Sequence, residues 1–221
     1  MKIGIICAVA AELAPFLPHI KNCKTSTKSM LTVYEGTING TEIAALCCGI
    51  GTTNAAIATQ ILIDTYGAGA IINSGTAGGM DARLELFDTV VCTGAVYHDV
   101  QEAILTAFHP KLPSIYFKAC ETLIEKSKNV KTNGKICYGS LVTGNKFIDD
   151  DGRDEINAKF EPLAVDMETA SIAHVCYVNN VPYVAVRTIT DTADHSGVGT
   201  FEENCPKASQ ISKDIVLGML D

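Results

Sequence analysis

Apolar, β-branched runs recur along this chain at residues 3–7, 70–73, 89–95, 134–143, 164–167 and 183–190, and several of them are continuous where a half-exposed strand would alternate. An unbroken run needs apolar cover on both faces, and helices packed on either side of a sheet supply it. Residues 31–38 and 42–48 differ: two strand-like runs flank Asn39-Gly40, a strong hairpin signal. Helical patterns are expected over residues 52–66, 115–129, 168–179 and 203–220. Thr52 or Thr53 is placed to cap the first and Gly67 to stop it, with Ala58, Ile61, Leu62 and Thr65 on one face. Asn179 to Pro182 ends the third. The alternation predicts an α/β fold, a three-layer sandwich with a central mixed, largely parallel twisted sheet flanked by helices. No linker-like tract or repeat interrupts it, so residues 1–221 read as a single domain.

Composition narrows the function classes. Hydrophobic residues make up 47% of the chain and charged residues 19%, a globular balance. A net charge of -8 argues against nucleic acid or an anionic membrane as the main partner. No apolar run approaches the roughly 20 residues of a spanning helix. Lys2 and the apolar residues 3–10 faintly imitate a secretory signal, but the stretch is short and Glu12 follows at once. A buried first strand explains the same residues, and the expected location is cytoplasmic. The nine cysteines lie mostly in apolar runs without Cys-x-x-Cys spacing, as reduced core residues do. Five dispersed histidines offer one ligand-like pair, His98-Asp99, and no metal site is expected.

Ligands of such sheets gather where strands end. Glu12 follows the first run, Ser74 to Gly79 the run at 70–73, Glu168 the run at 164–167, and Thr190-Asp191 the last. Glu168, at a strand-to-helix junction in apolar surroundings, has two readings. It is either a helix-capping acid or an acceptor for two neighbouring hydroxyls such as a ribose diol. Cys48-Gly49-Ile50-Gly51 is half of a dinucleotide fingerprint and lacks the third glycine. A P-loop is absent, and Ser74 has no Gly-x-Ser-x-Gly elbow. No cofactor is expected. Phe147 and Ile148, after Gly144-Asn145, offer either a stacking surface for a base or core packing.

Taken in order, residues 1–6 with Glu12, Cys48-Gly49-Ile50-Gly51, residues 72–79, Val165-Asp166-Met167-Glu168-Thr169-Ala170 and residues 186–191 resemble the 5'-methylthioadenosine/S-adenosylhomocysteine nucleosidases. The resemblance runs from the first residue to about Phe201. It implies N-glycosidic hydrolysis through an oxocarbenium-like transition state and a homodimeric assembly. Glu12 would draw a proton from the attacking water, and Asp191 would protonate adenine N7, supported by Thr190 and Arg187. Glu168 would hold the ribose hydroxyls beside Met167. Phe147 would stack on adenine while the Ile148 backbone reads its edge. Thr76 would stand near the water, and Ile50 would join the substrate contacts. Phe201 is placed to close an apolar lid.

A phosphorolytic relative needs arginines around its phosphate. Asn73-Ser74 and residues 8–12 stand where some phosphorylases carry that machinery, and the Glu12 carboxylate there would repel a dianion. Hydrolysis is therefore expected, with a phosphate-dependent purine nucleoside phosphorylase or a silent nucleoside-binding protein as alternatives. Gln101 and Glu102 break the pattern that shapes the family's 5'-substituent pocket, and Val9 replaces a commonly larger residue. The 5'-group is left open.

Overall fold

A computed structural model describes residues 1–149 and 152–221 of the chain. The strands are β1 (Ile3–Cys7), β2 (Lys21–Lys28), β3 (Leu31–Ile38), β4 (Thr41–Cys47), β5 (Ala70–Gly79), β6 (Thr89–Tyr97), β7 (Phe117–Lys118), β8 (Ile136–Thr143), β9 (Ala164–Asp166) and β10 (Tyr183–Asp191). The helices are α1 (Ala10–Leu13), α2 (Thr52–Asp64), α3 (Glu102–Thr106), α4 (Glu121–Lys128), α5 (Arg153–Phe160), α6 (Thr169–Val178) and α7 (Val198–Met219).

The unbroken runs are the buried strands. All five residues of β1 and all nine of β10 are buried, and β5 is buried but for one position. Helix α7 packs on β5 and β10, while α2 lies against α6 and β1. Each fully buried Ile, Leu or Val removes enough apolar surface from water to contribute about 1.5–3 kcal/mol. That gain is why these runs sit centrally.

Strands β10, β6, β8, β9 and β5 pair in that order, and β10 pairs back onto β5, so five strands close a ring. From β5 the sheet continues outward through β1, β4, β3 and β2. Five pairings are parallel and five antiparallel among the described residues, so the sheet is evenly mixed where a largely parallel one was expected. The short β9 accounts for part of this, running parallel to β8 and antiparallel to β5.

Asn39-Gly40 forms the expected hairpin turn, both residues at positive φ (51° and 80°). Strand β2 was not expected: every residue is exposed, so it has no apolar period, and pairing with β3 alone defines it. The helix expected over 115–129 shortens to α4 because Phe117-Lys118 pairs with β6 as β7. Helix α7 starts five residues earlier than expected, at Val198, and carries Pro206 within it. Helix α2 is not capped by Thr52 or Thr53. Gly51, at φ 102°, is its N-cap, and Asn145 supplies the acceptor from a distant loop. Its buried face is Ala55, Ala58, Thr59 and Leu62, rotated from the expected stripe because α6 takes the neighbouring side.

Candidate active site

Strand β5 runs parallel to both β1 and β10, so the three strands end on the same side of the sheet. There they deliver Glu12, Thr76 and Thr190-Asp191 to one cavity of about 360 Å³. The turn after β4 adds Ile50, and the loop after β8 adds Phe147 and Ile148. Met167 and Glu168 come from the β9–α6 junction and Phe201 from α7. Of the residues picked from the sequence, all but Arg187 line this cavity. Arg187 is fully buried behind it.

Glu12 is buried and fully engaged. Its Oε2 accepts from the backbone N–H groups of Ala8 (2.8 Å) and Val9 (3.2 Å), the latter as an acid reaching back to a helix N-cap. Its Oε1 accepts from both the N–H and the hydroxyl of Thr76, each at 2.8 Å. Arg187 Nη1 stands 3.8 Å from Oε1, with no hydrogen-bond partner among the described residues. Gly75 makes this approach feasible, because a Cβ there would collide with Glu12 Oε1 and come within 2.5 Å of Arg187 Nη1.

The two readings of Glu168 separate cleanly. Glu168 is the N-cap position of α6, but its side chain makes no capping bond. Asp166 does the capping, its Oδ1 accepting from the N–H groups of Glu168 (3.3 Å) and Thr169 (3.1 Å). The Glu168 carboxylate turns instead to the cavity, accepting from Gly51 N at 2.9 Å and Arg187 Nη2 at 3.0 Å. Burial raises its pKa to about 7; the nearby Asp166 and Glu12 add to that, while Arg187 and the Gly51 N–H oppose it. Arg187 stays charged. Burial disfavours its cation, but Asp166, Glu168 and Glu12 outweigh that and raise its pKa.

Arg187 therefore does not support Asp191, as the resemblance implied. Four residues along a strand span about 13 Å, too far for contact. A register shift between Ile189 and Asp191 also re-aims the acid at the end of β10. The support Asp191 has is Thr190, whose hydroxyl donates to Asp191 Oδ1 at 2.8 Å. The Asp191 pKa is raised, chiefly by burial and further by Asp149; the Thr190 hydrogen bond and the Arg153 guanidinium pull the other way. Phe147 and Phe201 meet edge to face, ring centroids 6.4 Å apart, across the cavity's apolar wall.

Reading the sequence missed three residues here. Asp166 was quoted only as part of a motif. Lys146 lines the cavity, and Asn145 ties its loop to α2, accepting from Thr52 N (3.2 Å) and Thr52 Oγ1 (2.7 Å). The Asn145 N–H in turn donates to Asp99. A polar residue in a Gly-Asn turn carries no signal of a partner 93 positions away. Among the described residues, no group of three or more His, Cys, Asp or Glu could hold a metal ion.

Comparison with known proteins agrees with this geometry. The phosphorylase superfamily matches residues 2–221. A 5'-methylthioadenosine/S-adenosylhomocysteine nucleosidase of Glaesserella parasuis is 39% identical over 231 aligned positions, covering 100% of this chain and 99% of that protein. The structure of a nucleosidase of the same description from Colwellia psychrerythraea, in complex with adenine, superposes with a TM-score of 0.90 at 33% identity, covering 100% and 94%. A futalosine hydrolase of Helicobacter pylori gives a TM-score of 0.91 at 27% identity, covering 100% and 97%. With likeness of this extent over its full length, the chain belongs to the phosphorylase superfamily and, within it, to the 5'-methylthioadenosine/S-adenosylhomocysteine nucleosidases.

Proposed function

We propose that this chain hydrolyses the N-glycosidic bond of 5'-methylthioadenosine, S-adenosylhomocysteine or both, releasing adenine and the thioribose. One observation carries the choice of hydrolysis. Among the described residues, the ionisable groups lining the cavity are four acids, Glu12, Asp166, Glu168 and the proton donor Asp191, against one cation, Lys146. Such a lining repels a phosphate dianion and favours a sugar that becomes cationic as its bond to the base breaks.

The roles follow from the contacts. Glu12 and Thr76 are hydrogen-bonded to each other in the cavity wall, and the attacking water would be held against them. Glu12 takes a proton from that water as its oxygen bonds to C1' and the C1'–N9 pair of electrons leaves with adenine. Asp191 places a proton on N7, so the base departs neutral; burial shifts its pKa upward, the direction a proton donor needs. Glu168 accepts from the ribose hydroxyls and Met167 packs on the sugar. Adenine lies against Phe147, its edge read by the Ile148 backbone. Ile50 and Phe201 cover the 5'-side. A positioned acid or base contributes about 10²–10⁴-fold in rate.

The purified protein, incubated with 5'-methylthioadenosine or adenosine with and without phosphate, is expected to release adenine at a rate independent of phosphate. Strict phosphate dependence would make it a phosphorylase. Tight binding without release would make it a binding protein. The reading also includes a homodimer and a reducing, cytoplasmic setting; the nine free cysteines, five of them buried, support the latter. Among the described residues, no helix is long and apolar enough to cross a membrane.

A further inference from the structure

Asp166 has the densest set of polar contacts in the site. It is 7% exposed and lies at the end of β9, under the cavity. Its Oδ1 accepts from Thr143 Oγ1 at 2.6 Å and from the two N–H groups that open α6. Its Oδ2 accepts from the Thr169 hydroxyl and forms an ion pair with Arg187 Nη2 at 2.9 Å. That same Nη2 donates to Glu168 Oε2 at 3.0 Å. One nitrogen thus hydrogen-bonds Glu168 while standing in ion-pair contact with Asp166, so the two carboxylates share the attraction of one guanidinium.

A capping role alone would explain the two backbone contacts. It does not explain an ion pair with the guanidinium that hydrogen-bonds Glu168. We propose that Asp166 is a positioning residue for sugar binding: it fixes Arg187 Nη2, through it aims the Glu168 carboxylate at the ribose, and shares with Glu168 the charge of one guanidinium. The proposal rests on Glu168 as the diol acceptor. Glu168 faces charged or titratable groups from every side. Glu12 comes from α1, Cys48 from the turn after β4, Asp166 from β9 and Arg187 from β10. Asp166 is one of the two negative charges that add to the effect of burial in raising its pKa.

Asp166→Asn separates this role from capping, because asparagine caps a helix as well as aspartate does and fills the same volume. The variant is expected to melt lower than the parent, because its amide nitrogen would face the Thr169 hydroxyl, and to show a KM for 5'-methylthioadenosine raised about tenfold. The acid limb of its kcat/KM profile moves to lower pH, since Glu168 loses a neighbouring negative charge and gains a larger share of Arg187. The carboxyl carbon of Glu168, followed by carbon-13 NMR and assigned with Glu168→Gln, is expected to titrate lower by the same shift. That readout needs no turnover. A parent enzyme that releases no adenine would defeat the function while the NMR titration still judges Asp166.

Thr143→Val provides the opposite sign and guards against misfolding of the first variant. It keeps the Asp166 charge but removes one of its donors and the acceptor of the Ala170 N–H (2.9 Å), so it melts lower while Asp166 draws harder on Arg187 and Glu168 titrates higher. Its KM is expected to rise about threefold. A KM and Glu168 titration equal to the parent's in Asp166→Asn, or in Thr143→Val should the first not fold, would overturn the proposal.

Discussion

Asp191 and Glu12 do opposite jobs in the proposed reaction, and their surroundings make opposite predictions for stability. Asp191 is buried with a raised pKa and one hydroxyl partner. The folded state therefore holds the Asp191 proton more tightly than the unfolded chain does. As pH rises past the ordinary aspartate value of 3.8, the unfolded chain releases its proton first, and native stability falls until Asp191 ionises as well. Asparagine has no such proton. Asp191→Asn is expected to lower kcat about 10²–10⁴-fold while melting higher than the parent at pH 8, with the difference vanishing near about pH 4. Glu12→Gln is expected to lose activity to a similar degree but to melt lower. Its amide nitrogen would face N–H or O–H donors where an oxygen now accepts, a mismatch costing about 1–3 kcal/mol. Thermal melts at two pH values, paired with adenine release, check both signs; a less stable Asp191→Asn at pH 8 would contradict the first. At this scale the sequence revealed the residue types well, because acids at strand ends in apolar company are few. It did not reveal who pairs with whom. Arg187 was assigned to Asp191 by the resemblance, whereas its partners arrive from α1, β9 and the start of α6.

Strand β5 shows how an element serves the site by what it lacks. Gly75 lies between Glu12 and Arg187, and its missing side chain lets both approach the backbone. Gly75→Ala is expected to cut kcat/KM by about 10²-fold or more, since moving a catalytic group by about 1 Å costs that much. Gly199→Ala, where a Cβ would meet nothing within 4 Å and φ is not positive, is the control and should leave kcat/KM within about twofold. Equal losses in the two variants would remove the close-approach argument. Legibility differed by element for a physical reason. Buried strands such as β1 and β10 stood out at or within one residue of their ends because burial on both faces writes an apolar run. Exposed β2, two-residue β7 and the short α1, α3 and α5 write no such pattern. They are held by neighbours distant in sequence or by caps, as α2 is held by Asn145.

Across the whole molecule, closure of the sheet through β10 and β5 ties the proton donor to the water side, since Thr76 pairs with Thr188 and Asp191 with Gly78 along one ladder. No single strand announces that closure; it arises only when both ends of the sheet twist round to meet. The outer surface carries a second message. Phe108 is 67% exposed, Ile57 and Ile104 48%, and Tyr177 and Val178 45%, on α2, α6 and the segment from α3 onward. Scattered apolar residues are ordinary on a surface, but α2 and α6 pack side by side, so Ile57, Tyr177 and Val178 belong to one helical layer. The proposed homodimer would cover such a layer, and a Phe alone can bury about 150–250 Å². Light scattering after gel filtration is expected to give twice the chain mass at micromolar concentration. Replacing Tyr177 and Val178 with Ser should shift that mass toward the monomer while leaving far-ultraviolet circular dichroism unchanged, because both side chains already face outward. A parent protein that runs as a monomer at every concentration would leave this layer without the partner assigned to it.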